Sequence, residues 1–389
     1  MKITKEAVTK RLKVYGGIVA GLLLLKWVWY VLCVMDAEAV LKNEEPSLTA
    51  RRALLLEAFE DPAEILDSMP SGLPDQFKGE WAIVSYSMTA MALANMAQTH
   101  PETRQESARV VTALAEQVLQ EPIRRFDKER WKEDPLETLD SADSYGHIGY
   151  LGHLNLILAA EAYLAEEPLH LERFHQVSEC LARRVDASPF GLEYTYPSEL
   201  FVPDNAVVIG SLGLYYKMFP EKDTGVVKRW FQKMEKLRDP KTGLLAFSVT
   251  IRGDTLEPGR GSGAAWNIFY LSYADRDWAA AQFAKVKTHF YRPLFLGMSG
   301  IREYPEGVEG SGDVDSGPVI LDTSTAGTGF ATAGARLVGD REFLQEMLRT
   351  SEFIGFTWGW KKQEFLVAPL VGDAIMLAML TTTEWKPPK

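Results

Sequence analysis

An all-α toroid of six outer and six inner helices, the (α/α)6 arrangement, is the fold class this sequence predicts, preceded by one N-terminal transmembrane helix. Two observations carry the toroid. Six stretches without a charged residue recur along the chain, and a charged stretch with helical spacing of its apolar residues precedes each one. An amphipathic helix buries one stripe, whereas a helix that is apolar all round must be enclosed by protein. Alternation of the two kinds therefore describes a ring within a ring. A polytopic membrane protein is the rival explanation, and it fails on length. Crossing a bilayer takes about 20 residues, and these runs are roughly 10 to 18.

The N-terminal segment is a third observation. Lys2, Lys5, Lys10, Arg11 and Lys13 precede an apolar run from Val14 to Met35 that only Lys26 interrupts. About 22 residues at ~1.5 Å each span the hydrocarbon core of a bilayer. Trp27, Trp29 and Tyr30 suit an interfacial belt, and Lys26 can snorkel toward a headgroup. Asp36, Glu38, Glu44 and Glu45 make the far flank acidic, so the positive-inside rule keeps the N-terminus in the cytoplasm. The expected organisation is a basic cytoplasmic tail (1–13), an anchor (14–35), a linker (36–46) and the toroid (47–389). The membrane is then the inner or plasma membrane, and the body is periplasmic or extracellular. Ala37-Glu38-Ala39 is the A-x-A pattern of a cleaved signal peptide, but the apolar run is longer than a signal core, which favours the anchor.

Ser47 to Phe59 reads as the first outer helix, capped by Ser47 and ended near Asp61-Pro62. After a turn-rich loop, Trp81 to Gln98 carries no charge and is the first inner helix. Pro101 to Glu121 is amphipathic, with Ala108, Val111, Ala115 and Val118 spaced three to four apart. A charged loop then leads to the uncharged run Ile148–Ala160. Leu169–Val185 and Asn205–Tyr216 form the next pair, then Lys222–Arg238 and Gly261–Ala274. Asp277–Tyr291 precedes the helix from Thr323, and Asp340–Phe356 precedes Ala374–Thr383. Alternation in LLAFSVTI and the Gly253-Asp254 turn signal predict a short hairpin. Gly149, Gly152, Gly210, Gly213, Gly327 and Gly329 are expected to let inner helices approach closely.

The chain has 389 residues, a net charge of -11 and 46% hydrophobic residues. No Pro-, Gly- or Ser-rich linker interrupts 47–389, so one domain is expected. The acidic balance argues against a nucleic-acid partner, which needs a basic surface. Cys33 lies in the apolar run and Cys180 on an outer helix. The body therefore has no internal disulfide, cysteine zinc site or Cys-Cys redox motif. No phosphate loop, dinucleotide fingerprint or Ser-His-Asp order is present, and no cofactor is expected.

Loops from outer to inner helix are long and the returns are short, so one end of the ring gathers the long loops and the inner-helix N-termini. A pocket for a small-molecule or glycan substrate is expected there. Helix N-termini favour anionic groups or developing negative charge. In DSADSYGH, Asp143, Tyr145 and His147 offer a carboxyl, a phenol and an imidazole for proton transfer. Capping by Asp140, Ser141 or Ser144 is the structural alternative. Asp204 reads as an N-cap or a catalytic carboxylate, with Asn205 beside it to bond substrate. Glu193, Tyr194 and Tyr196 resemble a wall on which a sugar ring stacks.

Arg260, in GRGSG, suits a carboxylate or sulfate, or a salt bridge. Trp266 and Asn267, one turn into their helix, line the pocket or the core. Asp313 and Asp315, with Glu303, Tyr304 and Glu306 before them, form the densest acidic loop. Asp-Val-Asp directs the two carboxylates apart, so one is expected to pair with Asp143 or Asp204 across the mouth. Trp358 and Trp360 are candidates to stack a sugar or an apolar ligand. His147 and His153 are not on one helical face, and EF-hand spacing is absent, so no metal site is expected.

YGHIGYLGHLNLIL, PDNAVVIGSLGLY and GSGAAWNIFYLSY resemble, in order and spacing, segments of the linalool dehydratase/isomerase-like (α/α)6 domain. The resemblance runs from Asp140 to Ala274, and more broadly the architecture is similar to six-hairpin glycosidases and uronate-processing enzymes. It matches Tyr145 and His147 or His153 to that family's aromatic/His helix start, and Asp204-Asn205 to its Asp-Asn helix start. The family's dehydratase chemistry uses pocket cysteines, whereas Cys180 falls in an outer helix. Fold analogy does not fix a reaction. The leading expectation is a membrane-anchored extracytoplasmic enzyme acting on a glycan or related polyhydroxylated substrate. One carboxylic acid would protonate the leaving oxygen while a second carboxylate activates water. The alternatives are a lyase or isomerase of the linalool dehydratase type on an apolar alcohol, and a non-catalytic toroid that binds a glycan or a protein.

Overall fold

The computed structural model describes residues 5–59, 65–67, 69–70, 72–141 and 145–386, with the backbone alone for 5–12. Helix α1 (Lys5–Lys42) runs unbroken from the basic tail through the apolar segment and into the body. Val14 to Val28 is exposed, Trp29 and Tyr30 are half-buried, and Cys33, Ala37 and Val40 are buried. The expected linker at 36–46 is thus corrected, because the chain stays helical to Lys42. Ala37, Val40 and Leu41 share one helical face and pack into the core, which holds the segment in place.

Helix α2 (Glu45–Ala58) has Pro46 in its first turn. Asn43 Oδ1 accepts the Glu45 N–H at 3.3 Å, while Ser47 donates its hydroxyl to Gln363 at 2.6 Å. Ser47 is therefore not the cap. Helix α3 (Asp75–Thr99) starts a turn and a half before its uncharged run. Helix α4 (Arg104–Val118) is amphipathic as expected. Helix α5 (Glu121–Trp131) occupies part of the predicted charged loop. Its stripe of Ile123, Phe126 and Trp131 is buried, but three apolar positions among so many charges did not register as a helix.

Nine further helices complete the ring among the described residues: α6 (Ile148–Leu164), α7 (Leu171–Ala187), α8 (Val202–Met218) and α9 (Val226–Met234) come first. Then follow α10 (Gly261–Leu271), α11 (Arg276–Phe290), α12 (Thr325–Val338), α13 (Arg341–Gly355) and α14 (Leu370–Leu380). The inner ring is α3, α6, α8, α10, α12 and α14, each packed on the next, and α14 closes on α3. Outer helices bury one face, as α7 does through Phe174, Val177, Leu181 and Val185. Inner α6 buries every side except Gly149 and Ala162. Each large apolar side chain removed from water in this way contributes about 1.5–3 kcal/mol.

Two of the inner-helix glycines are required by close approach. A Cβ at Gly210 or Gly213 would come within 2.5 Å of the Tyr270 carbonyl oxygen or Ala274 Cα, so α8 touches the α10 segment backbone to backbone. Gly149 and Gly329 do otherwise than expected, with nothing within 4 Å of a Cβ, because they face open space. The long loops carry short antiparallel ribbons. Strands β1 (Leu200–Phe201), β2 (Ser248–Val249) and β3 (Thr255–Glu257) lie in the order β1-β2-β3. The β2–β3 hairpin is the predicted one, with Gly253 at φ 84° in its turn.

A second sheet of β4 (Tyr291–Pro293), β5 (Ser299–Arg302), β6 (Val319–Ile320) and β7 (Thr323–Ser324) has the order β4-β5-β7-β6. A third pairs β8 (Thr357–Trp358) with β9 (Glu364–Phe365). All of these ribbons sit between an outer helix and the following inner helix, so they gather at one end of the ring. Buried Arg51 of α2 reaches Glu352 of α13 at 2.7 Å and Asp373 of α14 at 3.5 Å, clamping the start of the toroid to its end.

Candidate functional site

At the loop end a cavity of about 920 Å³ opens between the inner helices. All six reach it through their N-terminal halves, by Glu80, His153, Asp204, Gly263, Thr328 and Val371. The ring therefore converges long-range sequence on one space. Its walls differ in chemistry. One side carries Glu80, Arg130, Tyr196, Asp204, Arg260 and Asp315; the other is apolar, with Val84, Phe330, Ile354, Val371, Ile375 and Met376.

Asp204 stands inside the first turn of α8, where Phe201 rather than Asp204 is the cap residue. Thr195 Oγ1 donates to its Oδ2 at 2.9 Å. Burial pushes the Asp204 carboxyl up to about 7, helped by the charges of Asp315 and Glu80 and opposed by the Thr195 bond. Glu80, on α3, accepts the Tyr196 hydroxyl at 2.5 Å and the Gln76 amide at 3.1 Å. Burial also lifts Glu80 to about 7; Asp315 adds to the rise, while Tyr196, Gln76 and Arg130 oppose it. Asp315 keeps an exposed face. Displaced water and the neighbouring Asp313 charge push Asp315 up to about 6. Asp315 thus raises both Glu80 and Asp204, and Glu80 raises Asp204, so ionising one of these carboxyls disfavours ionising its neighbour.

Supporting groups hold this set in place. Asp313 Oδ1 accepts the backbone N–H of Asp315 at 3.1 Å and of Ser316 at 2.9 Å, folding the acidic loop. Its Oδ2 takes Arg260 at 2.5 Å, and these bonds hold the Asp313 carboxyl below its ordinary range. Arg260 also lies 3.4 Å from Glu303 and 3.5 Å above the Phe247 ring. Glu303 in turn accepts from the Ser262 N–H and hydroxyl at the start of α10. Arg130 stacks 4.1 Å over Tyr196 and donates to Gln76; among the described residues it makes no ion pair. His153 Nδ1 lies 2.7 Å from Ser87 Oγ, and burial depresses it to about 3, so the ring is neutral.

No family model matches the chain, and no curated protein matches it by sequence. Among solved structures, an unsaturated glucuronyl hydrolase specific for heparin superposes with a TM-score of 0.50 at 10% identity. That match covers 86% of this chain and 95% of the hydrolase. The fold is an (α/α)6 toroid, as in that hydrolase. A family 105 glycoside hydrolase from C. acetobutylicum gives 0.45 at 13% identity, covering 76% of this chain and 92% of its own. An unsaturated glucuronyl hydrolase from Streptococcus agalactiae gives 0.42 at 13%, covering 77% and 81%. The likeness to the heparin-specific hydrolase, at 10% identity, speaks for the toroid; the chemistry rests on the residues within it.

Of the residues singled out in the sequence, the toroid brings Tyr196, Asp204, Arg260, Trp266, Asp313 and Asp315 together at the cavity. Asp143 lies outside the described residues. Tyr145 is away from the cavity, 52% exposed and stacked on Trp131 at 4.6 Å. His147 is also elsewhere. It is fully buried, with Nδ1 2.5 Å from Asp127 and Nε2 3.0 Å from Glu133. Helix α5, hidden in the charged loop, supplies the Asp127 that turns His147 into an internal strut.

Asn205 ties the loop before α8, bonding the Glu193 N–H and carbonyl and the Phe201 carbonyl. Tyr194 packs against the core, and Asn267 is buried behind the cavity wall. Glu306 is exposed and paired with Arg302 at 3.5 Å. Trp358 and Trp360 stand outside the cavity on the β8–β9 ribbon, Trp360 being 93% exposed. Glu80, Arg130 and Glu257 line the cavity and were not foreseen. The signal for Glu80 was present, since it stands just before an uncharged run as Asp204 does. Among the described residues no cluster of three His, Cys, Asp or Glu side chains is placed to hold a metal.

Proposed function

We propose that this chain is a membrane-anchored hydrolase of glycan-like substrates, in which Asp204 is the proton donor and Asp315 the base. The observation that carries this reading is the meeting of Glu80, Asp204 and Asp315 in one cavity, each with its carboxyl raised above its ordinary range. A carboxyl near 7 still holds its proton in half the molecules at neutral pH, and one near 6 has mostly lost it. Such a pair suits general acid and base work. The Asp204 proton passes to the glycosidic oxygen as the carbon–oxygen bond breaks, and Asp315 takes a proton from the water whose oxygen bonds to the sugar carbon. Arg130, which makes no ion pair among the described residues, suits an acidic sugar.

The long apolar helix α1, exposed from Lys13 to Val28 and basic in sequence at its start, supports the anchor. The apolar wall favours a second reading, a dehydratase or isomerase of the linalool type on an apolar alcohol. Against it, neither Cys33 nor Cys180 lines the cavity.

The test is hydrolysis by the purified full-length chain across a panel of aryl glycosides, uronosides and unsaturated glucuronyl oligosaccharides. Asp204→Asn and Asp315→Asn should each lower turnover by about 10²–10⁴-fold. Turnover that survives both changes, or glycan binding without any turnover, would sink the hydrolase reading.

A further inference from the structure

The packing of α1 on the toroid decides which end of the ring faces the bilayer. Trp29 donates its indole N–H to the Phe353 carbonyl at 3.4 Å and stacks on Phe356 at 5.3 Å. Further along, Glu38 lies 3.4 Å from Arg349, and the Leu41 carbonyl accepts from Arg341 at 2.6 Å. As α1 advances, its partners on α13 retreat, so the two helices are antiparallel. The C-terminal end of α13 is at the cavity, where Thr350, Ile354 and Gly355 form part of its wall. The exposed apolar half of α1 therefore projects from the cavity end of the toroid.

Length then sets the distance to the lipid. Val14 to Val28 gives ~22 Å of free helix at ~1.5 Å per residue. The hydrocarbon core is about 30 Å thick, and tilting the helix would require still more residues. With Lys13 marking the cytoplasmic boundary, the outer boundary falls level with or beyond Trp29, where the body begins. The helix is continuous here, so no flexible segment lets the body stand off.

The chemistry of the rim agrees. Tyr30 donates its hydroxyl to the Leu296 carbonyl at 2.5 Å, and Phe295, Leu296, Phe356, Trp358 and Trp360 are exposed around it. Among the described residues outside α1, the other large exposed hydrophobics also lie on loops at this end, apart from Leu169 and Val338. Lys361 and Lys362 follow Trp360 at the ribbon tip, the aromatic and basic mixture typical of a headgroup layer. Glu306, Glu309 and Glu364 on the same loops limit the depth to that layer. Ile320 and Val367 are at once exposed on the rim and part of the cavity wall.

We infer that the cavity end of the toroid is a membrane-docking surface, seated mouth-down on the leaflet from which α1 emerges. The cavity then opens onto the lipid surface rather than onto bulk water. This inference rests on the anchor reading and goes beyond it, since an anchor alone does not orient the body.

The experiment uses the full chain reconstituted into phosphatidylcholine/phosphatidylglycerol vesicles. Single cysteines introduced by Leu24→Cys, Val308→Cys, Trp360→Cys and Leu169→Cys carry an environment-sensitive fluorophore; native Cys33 and Cys180 are buried. Nitroxide-bearing lipids are the quencher. Mouth-down seating gives strong quenching at Leu24→Cys and several-fold more quenching at Val308→Cys and Trp360→Cys than at Leu169→Cys. Quenching at Leu24→Cys with the rim sites no more quenched than Leu169→Cys overturns the seating and leaves the anchor intact. No quenching at Leu24→Cys overturns both.

Discussion

Replacing Asp204 by asparagine separates the charge of this carboxyl from its shape. Asn can still accept the Thr195 hydroxyl bond, so the loop before α8 keeps its tie. What it loses is the ability to ionise beside Glu80 and Asp315. Because folding raises the Asp204 carboxyl from 3.8 to about 7, the folded state prefers the protonated form. The stability linked to that preference is full below pH 4 and is lost as pH rises through 7. The displacement corresponds to about 4 kcal/mol. At pH 8 the Asp204→Asn protein should therefore exceed the wild type by about 4 kcal/mol, while at pH 4 the two should coincide. For a chain of 389 residues, unfolding entropy of ~2.1 cal/mol/K per residue turns this into about 5 °C in melting temperature. Calorimetry of the detergent-solubilised full-length pair at pH 4, 6 and 8 reads it directly. A melting difference that stays constant across that range would refute the reasoning, because the raised carboxyl would then not be Asp204.

Other perturbations test other parts of the argument. Tyr196→Phe removes the hydroxyl that holds Glu80 down, so Glu80 should titrate above its present value of about 7, read from the protonated carboxyl band in infrared spectra. Arg51→Met leaves Glu352 and Asp373 buried without their cation and should cost about 3–5 kcal/mol by denaturant unfolding. Gly213→Ala drives a methyl into Ala274 and should destabilise by about 1–3 kcal/mol. Gly329→Ala, facing open space within a helix, should instead stabilise by up to about 1 kcal/mol. If the apolar wall receives a hydrocarbon tail, a propyl glycoside should show a KM roughly tenfold below its methyl counterpart, since it buries two more methylenes at ~0.8 kcal/mol each. Equal KM values would remove that wall from substrate binding.

Charge periodicity alone determined the ring. Whether a helix is charged on one face or on none follows from residues within a few turns of each other, and burial all round admits few architectures. The same local signals located the β2–β3 hairpin and the apolar segment of α1. They failed where the periodic stretch was short or overlaid with charge, as at α5, and that omission is why His147 read as a pocket group instead of the partner of Asp127. Trp358 and Trp360 read as stacking platforms because aromatic composition does not say which way a ribbon faces. Only the tertiary structure decided that Glu80, Asp204 and Asp315 share one cavity, since ring closure of α14 on α3 brings the inner-helix N-termini together. The raised carboxyls follow from that closure, because desolvation and like-charge repulsion act through space and leave no mark on the order of residues. The direction of α1 across α13, and with it the end of the toroid turned toward the apolar half of the helix, was likewise settled by packing at Trp29 and Phe356.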